Sequence, residues 1–254
     1  MTSLPDTPQP PAQILSRGIG IGVNSFARLF MLTTIIGLLV LLPNIYLAMH
    51  LGNVPVTPEQ ISKAQDAGWF LIQLPCSIVI MLLQGVLIVR LDNMVRNGAV
   101  DFRREIQRGL RAWPALIIGG VIMVAALIAG YILLIVPGVL LTVSLAFFQF
   151  CVMLDGQGPL AALNHSHTLV WGNWWRTFWV IILMALVLIL ISVVVLIPFA
   201  LMLGLHHGTL TGRDLLVEGV LEMIAAAIFT PFIFATMYVQ FNDLKLRRQH
   251  IQPA

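Results

Sequence analysis

Charge is the scarcest property of this sequence. Lysine and arginine number 14 and aspartate and glutamate 11 among 254 residues, 10% in all, where an ordinary globular domain carries about 25%. Apolar residues make up 59%, so the chain has too little polar surface to cover itself in water. Cysteine is nearly absent. Cys76 and Cys151 stand 75 residues apart with no CxxC, which excludes a disulfide framework or a cysteine-rich metal centre. Both read as small apolar residues. Chemical signatures are missing too. No Walker loop, HExxH or GxSxG occurs, and the longest stretch between apolar runs is about 20 residues, too short to house an active site. Neither an enzyme nor a cofactor nor a bound metal is expected. The leading MTSLPDTPQPPA carries no positive charge and does not read as a cleavable signal. Residues 1–12 are expected to form a disordered tail ahead of a single integral membrane domain over 13–248.

What the chain has instead is long uncharged runs, at 29–49, 67–89, 113–154, 177–212 and 223–242. A span needs about 20 apolar residues. The third run holds two spans, with Pro137-Gly138 as the turn between them. The expected fold class is therefore all-α: a polytopic membrane bundle of six transmembrane helices at about 29–49, 67–89, 114–136, 138–154, 177–205 and 223–242. Six spans put both termini on one side. With that side inside, twelve of the fourteen lysines and arginines are internal, and only Lys63 and Arg213 lie outside. The positive-inside rule then places both termini in the cytoplasm of a bacterial inner membrane. The pI near 9.2 follows from that topology and needs no nucleic-acid partner.

Three segments look alike, each with an amphipathic cytoplasmic stretch, a span reaching a proline, and a second span. They run ILSRGIGIGVNSFARLF to Pro43, FRREIQRGLRAWPALI to Pro137, and LAALNHSHTLVWGNWWRTF to Pro198. This predicts a pseudo-repeat of interfacial helix plus helical hairpin. In the second copy, Phe102, Ile106, Leu110 and Trp113 share one helical face. Arg104, Arg108 and Arg111 take the other, beside Asp101 and Glu105. A basic amphipathic helix of this kind suits the inner headgroup layer and its anionic lipids. In the first copy, Leu15, Ile19, Val23, Phe26 and Phe30 share a face, although Gly18, Gly20 and Gly22 each weaken a helix by about 1 kcal/mol relative to alanine. The expected partners are anionic inner-leaflet lipids, together with a protein partner or a second copy of the chain.

Polar groups inside a bilayer need partners and mark either packing contacts or a pathway. In the second span Gln73, Ser77 and Gln84 form a stripe that should face protein. In the fourth, Ser144, Cys151 and Asp155 align likewise, and Asn44 and Gln149 are further candidates. No charge sits at the middle of a span, which argues against a proton relay. On the outer side, His206 and His207 precede a helix whose Asp214, Glu218 and Glu222 share a face, with Thr211 and Asp214 forming an N-cap signature. A cation site and an acidic helix cap are both compatible with that pattern. The spacing matches no standard ligand set and favours the cap.

Residues 155–179 read DGQGPLAALNHSHTLVWGNWWRTFW. DGQGP is a turn, Pro159 suits a first helical position, and Gly172 should end the helix. His165 and His167, two residues apart, point away from one another on a helix. Trp171, Trp174, Trp175 and Arg176 stand where an aromatic belt belongs. Around this segment Pro137-Gly138, Asp155-Gly156, Ala162-Leu163, Ser166, Leu169 and Gly172-Asn173 form a pattern. On it, and on the similar upstream stretch VRLDNMVRNGAVDFRREIQRGLRAWP, residues 80–190 resemble the YciC-like family of bacterial integral membrane proteins. That family is related to the membrane domain of some glycerophosphodiester phosphodiesterases. Ser144 and His165 stand where members often carry arginine. The resemblance implies a cell-envelope membrane protein and no particular activity. The leading expectation is a non-enzymatic inner-membrane protein acting through lipid or protein partners. The alternatives are a transporter, channel or lipid-translocating protein, and an intramembrane enzyme acting on lipid headgroups.

Overall fold

The computed structural model describes residues 4–5, 7–96, 101–204 and 211–251. These form nine helices and no strand of a sheet. They are α1 (Pro11–Leu51), α2 (Pro58–Ala64), α3 (Ala67–Arg96), α4 (Phe102–Leu133), α5 (Ile135–Ser144), α6 (Phe148–Asp155), α7 (Pro159–Trp171), α8 (Trp174–Gly204) and α9 (Gly212–Ile251). Five stretches are long and apolar enough to cross a membrane: α1, α3, α4, the α5–α6 pair and α9. The α7–α8 pair, bent by 96°, makes a sixth when its two parts are counted together.

Two expected interfacial helices are not separate. The stretches 13–28 and 101–113 continue without a break into their spans as α1 and α4. Neither junction carries a stop signal, and Pro114 sits within α4 without ending it. Only in the third segment does a break occur, at Gly172-Asn173 between α7 and α8. The expected turn at Pro137-Gly138 also moves. Leu134, with φ −169° and ψ 154°, separates α4 from α5, and Pro137 falls in the first turn of α5. A proline there costs nothing, because first-turn N–H groups lack helical partners anyway. The fourth span is not one straight helix, so the alignment of Ser144 with Cys151 and Asp155 is interrupted at residues 145–147.

Packing among the described residues separates two compact units. The first comprises residues 1–26, 81–185 and 232–254, and the second 27–80 and 186–231.

In the first unit, apolar burial is concentrated on one face of each helix. Ile14 and Ile21 of α1, Leu87, Ile88 and Leu91 of α3, and Tyr238, Phe241 and Leu244 of α9 are buried. Phe150 packs on Phe241 with ring centroids 5.5 Å apart, and Phe147 stacks on Phe241 at 5.9 Å. The face of α1 bearing Ile19 and Val23 points outward, as a lipid-facing surface should. The glycines of α1 serve the opposite face. A Cβ on Gly18 would lie 2.6 Å from Thr236 Cα, so only glycine lets α1 and α9 approach this closely. Residues 7–10 lie ahead of α1, which starts at Pro11, inside the expected tail. There the Gln9 backbone N–H donates to Asp243 Oδ1 at 2.6 Å.

In the second unit the same helices meet through small residues again. The Thr33 hydroxyl donates to the Ala227 carbonyl at 2.9 Å, and a Cβ on Gly37 would lie 2.6 Å from Met223 O. Gly212 N–H donates to Gly52 O at 2.8 Å. In the short helix α2, Thr57 and Gln60 form a reciprocal capping box.

Candidate functional site

The first unit carries eleven lysines and arginines against five carboxylates among its described residues. Glu105 and Asp243 are buried, Asp92 and Asp155 half-buried, and Asp101 exposed. Asp243 is fully buried and meets Arg247 Nε at 2.8 Å, Arg176 Nη2 at 3.2 Å and the Gln9 N–H. Asp92 accepts from Tyr238 Oη at 2.7 Å and Arg96 Nε at 2.6 Å. Glu105, 1% exposed, accepts from Asn93 Nδ2 at 3.2 Å and faces Arg90 at 3.7 Å. Glu105 thus corrects the helical-wheel reading of α4. The sequence puts it on the solvent side, whereas the structure turns Glu105 and Gly109 into the protein and exposes Phe102, Leu110 and Trp113. A membrane reverses the usual logic: the apolar stripe can face lipid, while a carboxylate needs protein donors. With Glu105 turned inward, Arg104, Arg108 and Arg111 remain exposed. Arg104 holds only Asp101, an N-cap neighbour, at 3.0 Å, and Arg108 reaches the Leu154 carbonyl at 3.3 Å.

A cleft of about 450 Å³ opens at the end of α6. Its geometry follows from local sequence. α6 ends at Asp155, and Gly156 adopts φ +66°, a left-handed conformation that favours glycine. Pro159 then starts α7 at its first position, as its fixed φ allows. α7 runs to Trp171 with Gly172 beyond it, as the sequence predicts. It turns His165 into the cleft and Ser166 into the core. Ser166 Oγ donates to the Ser144 carbonyl at 2.8 Å and accepts from the Phe147 N–H at 3.2 Å. Those are the backbone groups orphaned by the break between α5 and α6. Opposite α7, α9 presents Lys245 and Arg248 one turn apart. Lys245 Nζ ion-pairs with Asp155 and sits 4.4 Å from the Phe241 ring centroid. Arg248 Nη1 donates to Thr168 Oγ1 at 3.1 Å. Gln157 Oε1 is buried there with no hydrogen-bond donor.

His165 Nε2 lies 3.6 Å from Asp155 Oδ2. Burial pulls its pKa below the ordinary histidine value, with Arg248 and Lys245 adding to that and Asp155 opposing. It is therefore neutral near pH 7. His167 instead stacks on Trp171 with centroids 5.0 Å apart, so the two histidines diverge as their spacing predicts. Cys151, Asp155 and His165 do bring their ligand atoms within 4.8 Å of one another. Lys245 already supplies the positive charge at that point, and Arg248 beside it opposes a further cation.

The remaining sequence candidates fall into three groups. Trp171 and Trp175 are exposed as lipid-belt residues should be. Trp174 turns inward, donating to the Leu140 carbonyl at 3.3 Å and stacking on Phe178, and Arg176 is spent on Asp243 rather than on lipid. Trp171, Trp174 and Trp175 also line an apolar groove of about 730 Å³ with Val139 and Leu140. The polar stripe on α3 is satisfied piecemeal. Gln84 Oε1 accepts from Gln149 Nε2 at 3.3 Å. Ser77, expected to face protein, is exposed; its hydroxyl donates back to the Gln73 carbonyl at 2.8 Å, which removes its need for a partner on another helix. On α9, Thr211 and Asp214 form the expected cap, with Thr211 Oγ1 donating to Asp214 at 2.7 Å. Glu222 accepts from Asn44 at 3.2 Å, and Glu218 is exposed. His206 and His207 lie outside the described residues. The sequence reading counts Lys245 and Arg248 only as topology markers and passes over Gln157. The signal for the first two was present: Phe241, Lys245 and Arg248 at i, i+4 and i+7 share one face of α9.

These features define the class: a polytopic, all-α membrane protein with buried carboxylates held by arginines. Within that class, the chain belongs to the family described as a domain of unknown function (DUF7847), whose model matches residues 108–244, more than half of its length. No curated protein and no solved structure matches it.

Proposed function

We propose that this is a non-enzymatic protein of a bacterial inner membrane, with both termini cytoplasmic, that acts through anionic lipids. One observation carries the reading. Four of the first unit's five described carboxylates are at least partly buried and ion-paired, while Arg104, Arg108 and Arg111 stay exposed beside Trp113. Each exposed arginine near an anionic leaflet contributes roughly 1 kcal/mol of attraction. Kinship with the YciC-like family is part of the proposal and rests on motif residues such as Ser166 and Gly172-Asn173. The test is purification in nanodiscs followed by mass spectrometry of co-purifying lipids and proteins. Anionic phospholipid should be enriched, and the triple change of Arg104, Arg108 and Arg111 to glutamine should reduce it. A stoichiometric protein with no lipid preference would redirect the reading to a scaffold.

A second reading, a solute or lipid path, draws on one cavity of about 350 Å³ in the first unit. It is lined by Met123, Thr142, Gln149, Met184 and Met237. Gln84→Leu unpairs Gln149 at its edge. On the transport reading this change abolishes flux in proteoliposomes while the protein stays folded.

A further inference from the structure

We infer that the cleft between α7 and α9 is a site for a hydrogen-phosphate group, either a phosphate monoester or inorganic phosphate, held by Lys245 and Arg248. The inference deepens the lipid-binding reading above and rests on it for the monoester-lipid case.

The argument starts from the charges. Asp155 is matched by Lys245, and His165 is neutral near pH 7, so Arg248 leaves the cleft with a positive surplus. An anion is the fitting ligand. Arg248 is available for one, since Thr168 takes only one of the five N–H donors that a guanidinium carries. Lys245 is held in place by Asp155 on one side and the Phe241 ring on the other.

The acceptors then choose among anions. A cleft lined by cations alone accepts any of them. This one also contains the Asp155 carboxylate and the Gln157 Oε1, which is buried and has no donor. A buried acceptor left unpaired is costly, so the ligand that fits brings a proton of its own. Phosphate monoesters have a second pKa of about 6, so near neutrality part of the population keeps a P–OH, and inorganic phosphate keeps one throughout because its last proton leaves only in strong base. Sulfate and phosphodiesters have none. Thus the cations take the charged oxygens while Gln157 Oε1 receives the P–OH. The volume of about 450 Å³ admits a phosphate and the first atoms of an ester.

Two sources share this chemistry: the headgroup of phosphatidic acid and free phosphate. The test uses the full chain in phosphatidylcholine nanodiscs, alone or with phosphatidic acid or phosphatidylglycerol, and titrates inorganic phosphate and sulfate into the first. Phosphate should bind about tenfold or more tightly than sulfate, the selectivity expected where a buried acceptor is left without its donor. Arg248→Gln should weaken phosphate binding about tenfold, whereas Lys63→Gln, at the exposed Lys63–Glu59 pair of α2, should leave it unchanged. Gln157→Met removes an unpaired group, so the protein should fold and lose the phosphate-over-sulfate preference. Phosphatidic acid retained over phosphatidylglycerol, with loss in Arg248→Gln, identifies a lipid source. Saturable phosphate binding without that lipid preference identifies a soluble one. Equal binding of phosphate and sulfate, or indifference to both Arg248→Gln and Gln157→Met, overturns the site. If anionic lipids are enriched without distinction and respond only to Arg104, Arg108 and Arg111, the lipid reading stands and the cleft falls. If no anionic lipid is enriched, the lipid reading fails, and the phosphate titration still decides the cleft.

Discussion

Ser166→Ala tests the structural core of the cleft. The hydroxyl bonds two backbone groups at once, the Ser144 carbonyl and the Phe147 N–H. One lies at the end of α5 and the other in the three-residue break before α6, where the helical ladder supplies no partner. Ser144 and Phe147 are 1% and 0% exposed, so water does not replace the hydroxyl. Each buried group left unpaired costs about 1–3 kcal/mol, and the two together about 2–4 kcal/mol after local relaxation. For a chain of this size that lowers Tm by roughly 5–12 °C. Thermal unfolding in nanodiscs, read by circular dichroism, measures it. Thr168→Ala, two residues along α7 and exposed, is the control and should cost under about 0.5 kcal/mol. The deeper check is cleft geometry, because the break sets where α7 lies and α7 carries His165. Ser166→Ala should therefore weaken phosphate binding as well as stability. If its stability stays within about 0.5 kcal/mol of the parent, the break is not held by Ser166 and the reasoning fails.

Asp243→Asn removes the charge that holds Arg176 and Arg247 and should destabilise by about 3–5 kcal/mol, measured as loss of monodisperse protein on heating. Gly18→Val drives a side chain against Thr236 and should abolish or severely reduce folded yield, whereas Gly20→Ala meets open space and should be neutral or stabilising by up to about 1 kcal/mol. His165 has a lowered pKa in the folded protein, so the folded state binds fewer protons than the unfolded chain. Its contribution is complete above the ordinary histidine value of about 6.5. It is lost as pH falls through the lower folded value. Tm should decline from pH 7 to pH 5, and His165→Gln should flatten that decline; an equal slope in both proteins sinks the assignment.

The sequence makes α7 legible almost residue for residue, because Pro159 and Gly172 act locally and need no tertiary context. The apolar runs likewise place the spanning stretches. The joints are harder. Leu134 breaks α4 from α5 three residues ahead of Pro137, since what bends the chain there is the extended backbone of one leucine rather than a turn residue. Nor does anything in FRREIQRGLRAW say that Glu105 faces inward. Its partners, Arg90 and Asn93, lie on another helix, and a helical wheel sees only its own. The cleft is hidden for the same reason. It joins α6, α7 and α9, and Lys245 lies 90 residues from the Asp155 it neutralises.

The packing of α1 against α9 also sets a clock. Thr33 finds the Ala227 carbonyl 194 positions later in the chain. Ribosomes add about 5–20 residues per second, so α1 waits on the order of 10–40 s for that surface to be made. In the interval its glycine seam is bare and open to any small-residue helix nearby. A nascent chain halted before α9 therefore presents a sticky, half-finished face to the bilayer. Shortening the chain at the α9 end is expected to act early, during insertion, and to be read as degradation rather than as a less stable product.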